Sequence, residues 1–133
     1  MEQLPLLFSL LFFAAFAVYL FFGIYMIYVN PKATLNRVFL AACISLCFWS
    51  FGFSIATSAP TLEMCLVWRR VSAVGWGSIY CLLLHYVLLV TGGICSRKRR
   101  RLCPLLYLPA VVSLCVFALS DEIAAIQYNL IKT

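Results

Sequence analysis

The stretch that most restricts what this chain can become is WRRVSAVGWGSIYCLLLHYVLLVTGGICSRKRRR, residues 68–101. It opens on Arg69 and Arg70, then runs from position 71 to position 91 without Asp, Glu, Lys or Arg. It closes on Gly92 and Gly93, followed by the basic run Arg97, Lys98, Arg99, Arg100 and Arg101. About 20 uncharged residues, rising about 1.5 Å each as α-helix, cross a hydrocarbon core of about 30 Å. This third apolar segment, with its basic end, sets the topology of the chain. The rest of the composition agrees. Hydrophobic residues make up 65% of the 133 positions and charged residues 11%, against about 45–50% and about 25% in soluble domains. A soluble fold would lack the polar residues to cover its surface. The expected class is therefore an all-α, polytopic integral membrane protein, a single membrane domain over residues 1–133 with the lipid bilayer as its solvent.

Four spanning helices are expected, over residues 4–29, 35–58, 61–91 and 102–119. The first begins Met1-Glu2-Gln3 without a basic residue, so it reads as a retained helix rather than a signal peptide. It ends at Asn30-Pro31, because a proline pushes the residue before it out of the α region. Thr34 is a plausible N-cap for the second helix. Pro60 can occupy the first turn of the third, with Glu63 near its positive end. Pro109 falls inside the fourth and should kink it. The tail 120–133 carries Ile123, Ile126, Leu130 and Ile131 near one helical face, which fits a short interfacial helix or the start of a loop.

Orientation follows from basic residues in short loops. Lys32 and Arg37 follow the first segment, and Arg97, Lys98, Arg99, Arg100 and Arg101 follow the third. Glu2, Glu63, Asp121 and Glu122 lie at the opposite side. The N-terminus is expected outside, both basic loops in the cytoplasm, the tail outside, and the protein in the cell membrane as a multi-pass species. The net charge of +6 then serves orientation, and no nucleic-acid partner is expected.

Few residues suggest chemistry. Arg69 and Arg70 are discordant with the charge rule. They either sit at the outer headgroup level, snorkelling or pairing with Glu63, or form an anion-binding or signal-sensing pair at the outer mouth. Trp68, Trp76, Tyr80 and Tyr86 are either pocket walls or interface anchors. Arg69, Arg70, Trp76 and Tyr80 are the candidate sensing residues. Two stripes of mostly small residues suggest close helix packing. One carries Ser45, Trp49, Gly52 and Ala56. The other climbs in four-residue steps through Ala73, Gly77, Cys81 and His85, whose imidazole is expected to bond a neighbouring helix, at Ser45 or a backbone carbonyl. The seven cysteines, Cys43, Cys47, Cys65, Cys81, Cys95, Cys103 and Cys115, lie mostly in apolar runs and read as small hydrophobes. No metal site, cofactor motif or nucleophile–base pair is visible. No Asp or Glu lies within a spanning segment, which argues against a proton-coupled exporter.

The runs NPKATLNRVFL, FWSFGFSIATSAPTLEMCLVWRRVSAVGWG, LHYVLLVTG and LYLPAVV, in this order, resemble the N-terminal seven-helix sensor region of bacterial membrane histidine kinases. The shared landmarks would be Asn36, Arg37, Trp49, Gly52, Pro60, Glu63, Trp68, Gly75, Thr91, Gly92 and Pro109, over residues 30–112. The resemblance implies a signal-input region that precedes a cytoplasmic kinase or diguanylate cyclase. The chain departs from the pattern by stopping after about four helices, as a truncated or split product or a fragment would. Catalysis is not implied for these residues, and His85 is a membrane residue rather than a phosphoacceptor. The expected function is a transmembrane sensory region without its output module, whose partners are a second copy of itself or the missing signalling module. The alternatives are a small oligomeric transporter or exporter subunit and a non-catalytic membrane scaffold.

Overall fold

The computed structural model describes residues 3–92 and 96–119, with side chains for residues 3–92, 102 and 104–117. It contains α1 (Gln3–Val29), α2 (Thr34–Ser58), α3 (Leu62–Val90) and α4 (Ser96–Leu119). No strand occurs among the described residues. Helices α1, α2 and α3, of 27, 25 and 29 residues, are long and apolar enough to cross a membrane. Within α4 the apolar part is the shorter stretch Pro104–Phe117. In lipid a helix satisfies its own backbone hydrogen bonds, which is why long apolar runs take this form.

The helices pack in chain order. Helix α1 touches α2, α2 touches α3 and α3 touches α4, and no other pair is in contact among the described residues. The result is a row rather than a closed bundle. Each neighbour runs antiparallel to the last, as paired residues show: Ser9 with Ser54, Asn36 with Met26, Phe39 with Tyr86, Phe51 with Trp68, and His85 with Tyr107. The α1 N-terminus, α2 C-terminus, α3 N-terminus and α4 C-terminus therefore share one end. The α1–α2 turn and the start of α4 share the other.

Position in the row decides burial. Helix α2 is sandwiched and buries ten residues from Asn36 to Ala56, whereas α1 buries only Gly23. The outer face of α1 presents Leu, Phe and Tyr side chains such as Phe21 and Tyr28, the composition suited to acyl chains. Two polar clamps fasten the ends of α1. Ser9 Oγ donates to the Ser54 carbonyl at 2.7 Å, and Ser54 Oγ donates to the Ser9 carbonyl at 2.8 Å. At the other end the Asn36 side-chain amide donates to the carbonyls of Met26 and Asn30, at 2.9 and 3.0 Å. The Met26 carbonyl also accepts from the Asn30 N–H at 3.3 Å, and the Asn30 carbonyl lies just past the end of α1, so one side chain closes the last turn of the helix. Phe12 and Phe16 fill the space between, against Phe53 and Phe51.

Several local expectations change. Helix α4 begins at Ser96 instead of 102, so Arg97, Lys98, Arg99, Arg100 and Arg101 form its first turns rather than a loop. Lys and Arg are good helix formers, and charge alone does not stop a helix at a water-facing end. The N-cap of α2 is Ala33, without a side-chain bond, and Thr34 is already helical. Pro60 precedes α3 rather than entering its first turn. Thr61 is the N-cap, its hydroxyl accepting from the Met64 N–H at 3.4 Å, and Glu63 lies in the first turn. Pro104 joins Pro109 inside α4. Helix α3 ends at Val90, with Thr91 as its C-cap and then Gly92, whose φ of 63° is a left-handed conformation that ends helices and suits glycine. The interfacial helix considered for 120–133, with Asp121 and Glu122, lies outside the described residues, as do Glu2, Gly93 and Cys95.

Candidate functional site

Helix α3 carries two faces. One lies against α2. Gly52 faces Ser72 and the Trp68 carbonyl so closely that a Cβ on Gly52 would come 2.7 Å from Ser72 Cβ. A Cβ on Gly75 would collide with the Ser45 carbonyl and lie 2.9 Å from Trp49 Cα. Two glycines, one on each helix, thus let the backbones approach. Ser45 Oγ donates to the Gly75 carbonyl at 2.7 Å and meets Ser78 Oγ at 2.6 Å. Ala56, Ala59 and Cys65 close the end of this seam with Trp68, which meets Phe51 edge-to-face at 5.6 Å. Trp68 and Tyr86 are therefore seam residues, Tyr86 packing on Phe39 at 5.8 Å.

The other face lies against α4. A Cβ on Gly77 would find Leu114 and Ser113 at 3.8–3.9 Å, ordinary contact. Trp76 meets Phe117 edge-to-face at 4.7 Å. His85 Nδ1 lies 2.8 Å from the Tyr107 hydroxyl. Among the described residues His85 thus meets a tyrosine of α4 rather than Ser45 or a backbone carbonyl, and Ser45 is engaged with Gly75 and Ser78. Ala73 and Cys81 are buried on the same ladder.

Between the two faces, near the end opposite the α1–α2 turn, lies a cavity of about 320 Å³. Its walls are Trp49 and Phe53 from α2, Arg69, Arg70, Ser72, Ala73 and Trp76 from α3, and Phe117 from α4. Arg69 places its guanidinium carbon 5.6 Å from the centre of the Phe53 ring, a cation–π contact. Phe53 is held in turn by Phe12 at 5.3 Å and Trp49 at 6.3 Å. Ser72 is 1% exposed, and its Oγ has no hydrogen-bond partner among the described residues. A buried hydroxyl without a partner loses its hydration and regains nothing. The cavity therefore combines two guanidiniums, four aromatic walls and one unmet hydroxyl. No carboxylate lies among its described lining residues.

Of the four sequence-derived sensing candidates, three line this cavity: Arg69, Arg70 and Trp76. Tyr80 does not. It lies one turn further along α3 and is 72% exposed. Phe53, Ser72 and Phe117 complete the walls and were not singled out from the sequence. A signal for Ser72 was available in Ser72, Gly75 and Ser78, small residues at three-residue steps on the α2-facing side. For Phe53 and Phe117, in a chain with 11 phenylalanines, none was. Lys32 and Arg37 lie at the far end of the row, both exposed, with Arg37 Nε donating to the Pro31 carbonyl at 3.1 Å. Of the cysteines, Cys43, Cys47, Cys65 and Cys81 are buried and Cys115 is exposed, all as free thiols.

A family model described as the N-terminal 7TM region of histidine kinase matches residues 7–131. No curated protein and no solved structure matches the chain.

Proposed function

Because the chain belongs to the N-terminal 7TM region of histidine kinase family, a sensory transmembrane input region without catalysis of its own, we propose that the cavity is its sensing mouth. The observation that carries this reading is that Arg69, Arg70 and Trp76 meet in one cavity walled by α2, α3 and α4. Charged residues on a spanning helix are costly and mark functional sites more often than structural ones. Occupation of the cavity shifts α4 against α3, and the shift is the signal. Such a shift follows only if the occupant binds one packing better than another. Helix α4 is suited to move, because α3 is its sole neighbour among the described residues.

The basic residues support an orientation with the cavity end outside and the Lys32, Arg37 and Arg97–Arg101 end in the cytoplasm of a multi-pass cell-membrane protein. The signalling partner is then a cytoplasmic output module, reached through the basic end.

A crosslink tests the transmission step. A Cβ at position 77 would lie 3.9 Å from Ser113 Cβ, inside the span of about 3.5–4.5 Å that a disulfide bridges. With Gly77→Cys and Ser113→Cys in a chain joined to a histidine-kinase output, oxidation should change autophosphorylation at least about fivefold, the effect of a bias near 1 kcal/mol. Reduction should reverse it, and neither single variant should show it. Equal autophosphorylation in the crosslinked and reduced states would remove α3–α4 motion from the signalling path.

A further inference from the structure

We propose that the end of the row formed by the α1–α2 turn and the first turns of α4 is a docking surface for acidic phospholipid headgroups, carried by Lys32, Arg37 and the run from Arg97 to Arg101. The proposal goes beyond the sensing reading and does not depend on it.

Charge is divided unevenly between the two ends. Seven of the ten basic residues belong to this one: Lys32 and Arg37 at the α1–α2 turn and the start of α2, and Arg97, Lys98, Arg99, Arg100 and Arg101 in the first turns of α4. The chain has four acidic residues, and none is in reach of them. Glu63 lies in the first turn of α3, at the opposite end. Glu2 adjoins the start of α1, and Asp121 and Glu122 follow within three positions of Leu119, the last residue of α4. Helices of 24 to 29 residues, rising about 1.5 Å per residue, put roughly 35–45 Å between the two ends. The screening length at physiological salt is about 8 Å. No carboxylate of the chain therefore neutralises the basic end.

The α1–α2 turn shows this at the level of side chains. Lys32 and Arg37 are both exposed. Arg37 folds back over the turn, its Nε donating at 3.1 Å to the carbonyl of Pro31, the residue before Lys32. Two cations are thus gathered at one turn, and the field there favours an anion.

Depth selects the partner. The apolar part of α4, Pro104–Phe117, has 14 residues. As helix that is roughly 21 Å, short of a hydrocarbon core of about 30 Å. A short span draws its polar flanks towards the core. Arg101 and Arg97 stand three and seven residues before Pro104, roughly 5 and 10 Å along the axis. That is headgroup depth, since the whole bilayer is about 40–45 Å thick around its core. The five positions, about 100° apart, go round the whole circumference of the helix. A single protein surface would meet some of them, whereas a ring of headgroups meets them all. The run is not there for the helix's sake. The dipole of α4 disfavours cations in its first turn, and like charges four residues apart, at 97 and 101, repel. Lipid phosphates offset both effects. Clusters of about four to eight Lys or Arg beside a spanning helix attract acidic lipid in this way.

The test uses the full chain in phosphatidylcholine nanodiscs that carry either spin-labelled phosphatidylglycerol or spin-labelled phosphatidylcholine. The readout is the fraction of label immobilised at the protein in electron paramagnetic resonance spectra. Both leaflets of a nanodisc have the same composition, so a variant that inserts the other way round gives the same reading. Phosphatidylglycerol should associate at least about fivefold more strongly, the factor that one basic residue near an acidic surface contributes. Most of that preference should vanish in about 1 M NaCl, where the screening length is about 3 Å. Arg97→Gln, Lys98→Gln, Arg99→Gln, Arg100→Gln and Arg101→Gln together should remove most of it, and Lys32→Gln with Arg37→Gln a smaller part. Lysine at all five positions of the run should retain it. Helical content by circular dichroism identifies variants that fold, and if glutamine throughout the run prevents folding, the Lys32→Gln, Arg37→Gln pair and the salt series decide. Equal association of the two lipids with the parent overturns the proposal and leaves the basic end to orientation alone. So does a preference that survives glutamine at all the substituted positions, or one that salt does not weaken. Loss of the preference in millimolar inorganic phosphate at fixed ionic strength assigns the end to a free anion and overturns it as well.

Discussion

The two faces of α3 are built on different chemistry. Towards α2, small residues stand on both helices, Gly52 and Ser45 opposite Ser72 and Gly75, and the backbones come close enough for a serine hydroxyl on one to reach a carbonyl on the other. Towards α4, Gly77 is met by Ser113 and Leu114 and Trp76 by Phe117, and the contact is made by side chains at ordinary distances. Lipid tails are as apolar as leucine, so apolar character alone does not hold membrane helices together. Close van der Waals packing and hydrogen bonds do. The α2–α3 seam has both along its length. The α3–α4 seam has one hydrogen bond between described side chains, His85 to Tyr107, and a cavity. A fixed seam and a yielding one, back to back on one helix, are what a helix needs to hold position while its neighbour moves.

The largest expected effect breaks the fixed seam. In Gly75→Ala the new methyl would collide with the α2 backbone at Ser45 and Trp49. Backbone cannot rotate away as a side chain can, so the helices must separate. Overpacking of this kind costs about 1–3 kcal/mol, enough to outweigh the gain of about 1 kcal/mol from replacing glycine in a helix. Thermal unfolding in detergent, followed by circular dichroism, should show a clear fall in Tm for Gly75→Ala. Gly52→Ala should also lower Tm, by less, since its nearest atoms lie at 2.7–3.0 Å, further off than those that face Gly75. An unchanged Tm in both variants would mean that the two backbones are not in contact.

A smaller effect belongs to the yielding seam. Tyr107→Phe keeps the ring and removes the hydroxyl that meets His85 at 2.8 Å. Interhelical hydrogen bonds in membranes contribute about 0.6 kcal/mol on average and up to about 1.7. The expected loss is within that range. It should appear as faster α3–α4 crosslinking in the Gly77→Cys, Ser113→Cys background, because crosslink rate follows the freedom of α4. A rate equal to that of the parent would mean that the tyrosine hydroxyl does not restrain α4.

The same contrast explains what could be read from the chain beforehand. Long uncharged runs announce spanning helices, because no other backbone form of that length satisfies itself in lipid. Arg69 and Arg70 stand out because they break the charge rule at the edge of such a run. Trp76 stood out as a polar-edged aromatic near them. The start of α4 was misplaced because a basic run reads as a loop by charge and as a helix by propensity, and propensity prevailed. The ladder from Ala73 to His85 was visible by its period, but not which neighbour it faced. Period places residues on one side of a helix and leaves the partner to tertiary packing. For that reason the period offers His85 Ser45 or a backbone carbonyl, whereas it meets Tyr107 of α4. Ser72 does not stand out, and Gly75 does so only as a family landmark, because their three-residue step overlaps the four-residue ladder next to it, and only the contacts of Ser72 with Gly52 and of Gly75 with Ser45 and Trp49 distinguish the two.

The smallest expected effect is the sharpest test of the contrast. Gly77→Ala makes on the α4 side the change that Gly75→Ala makes on the α2 side. The new methyl would find its nearest neighbours at 3.8 Å, on the movable ends of Leu114, and at 3.9 Å on Ser113. Nothing must shift. Helix propensity favours alanine over glycine by up to about 1 kcal/mol, and the added contact is favourable. Tm in the same detergent should therefore stay within about 2 °C of the parent or rise, a margin of roughly 0.5 kcal/mol for a domain near this size. Two glycines two positions apart, given the same substitution, should then differ in sign. If Gly77→Ala instead lowers Tm as far as Gly75→Ala does, α4 is packed on α3 as closely as α2 is, and the two faces of α3 are equivalent after all.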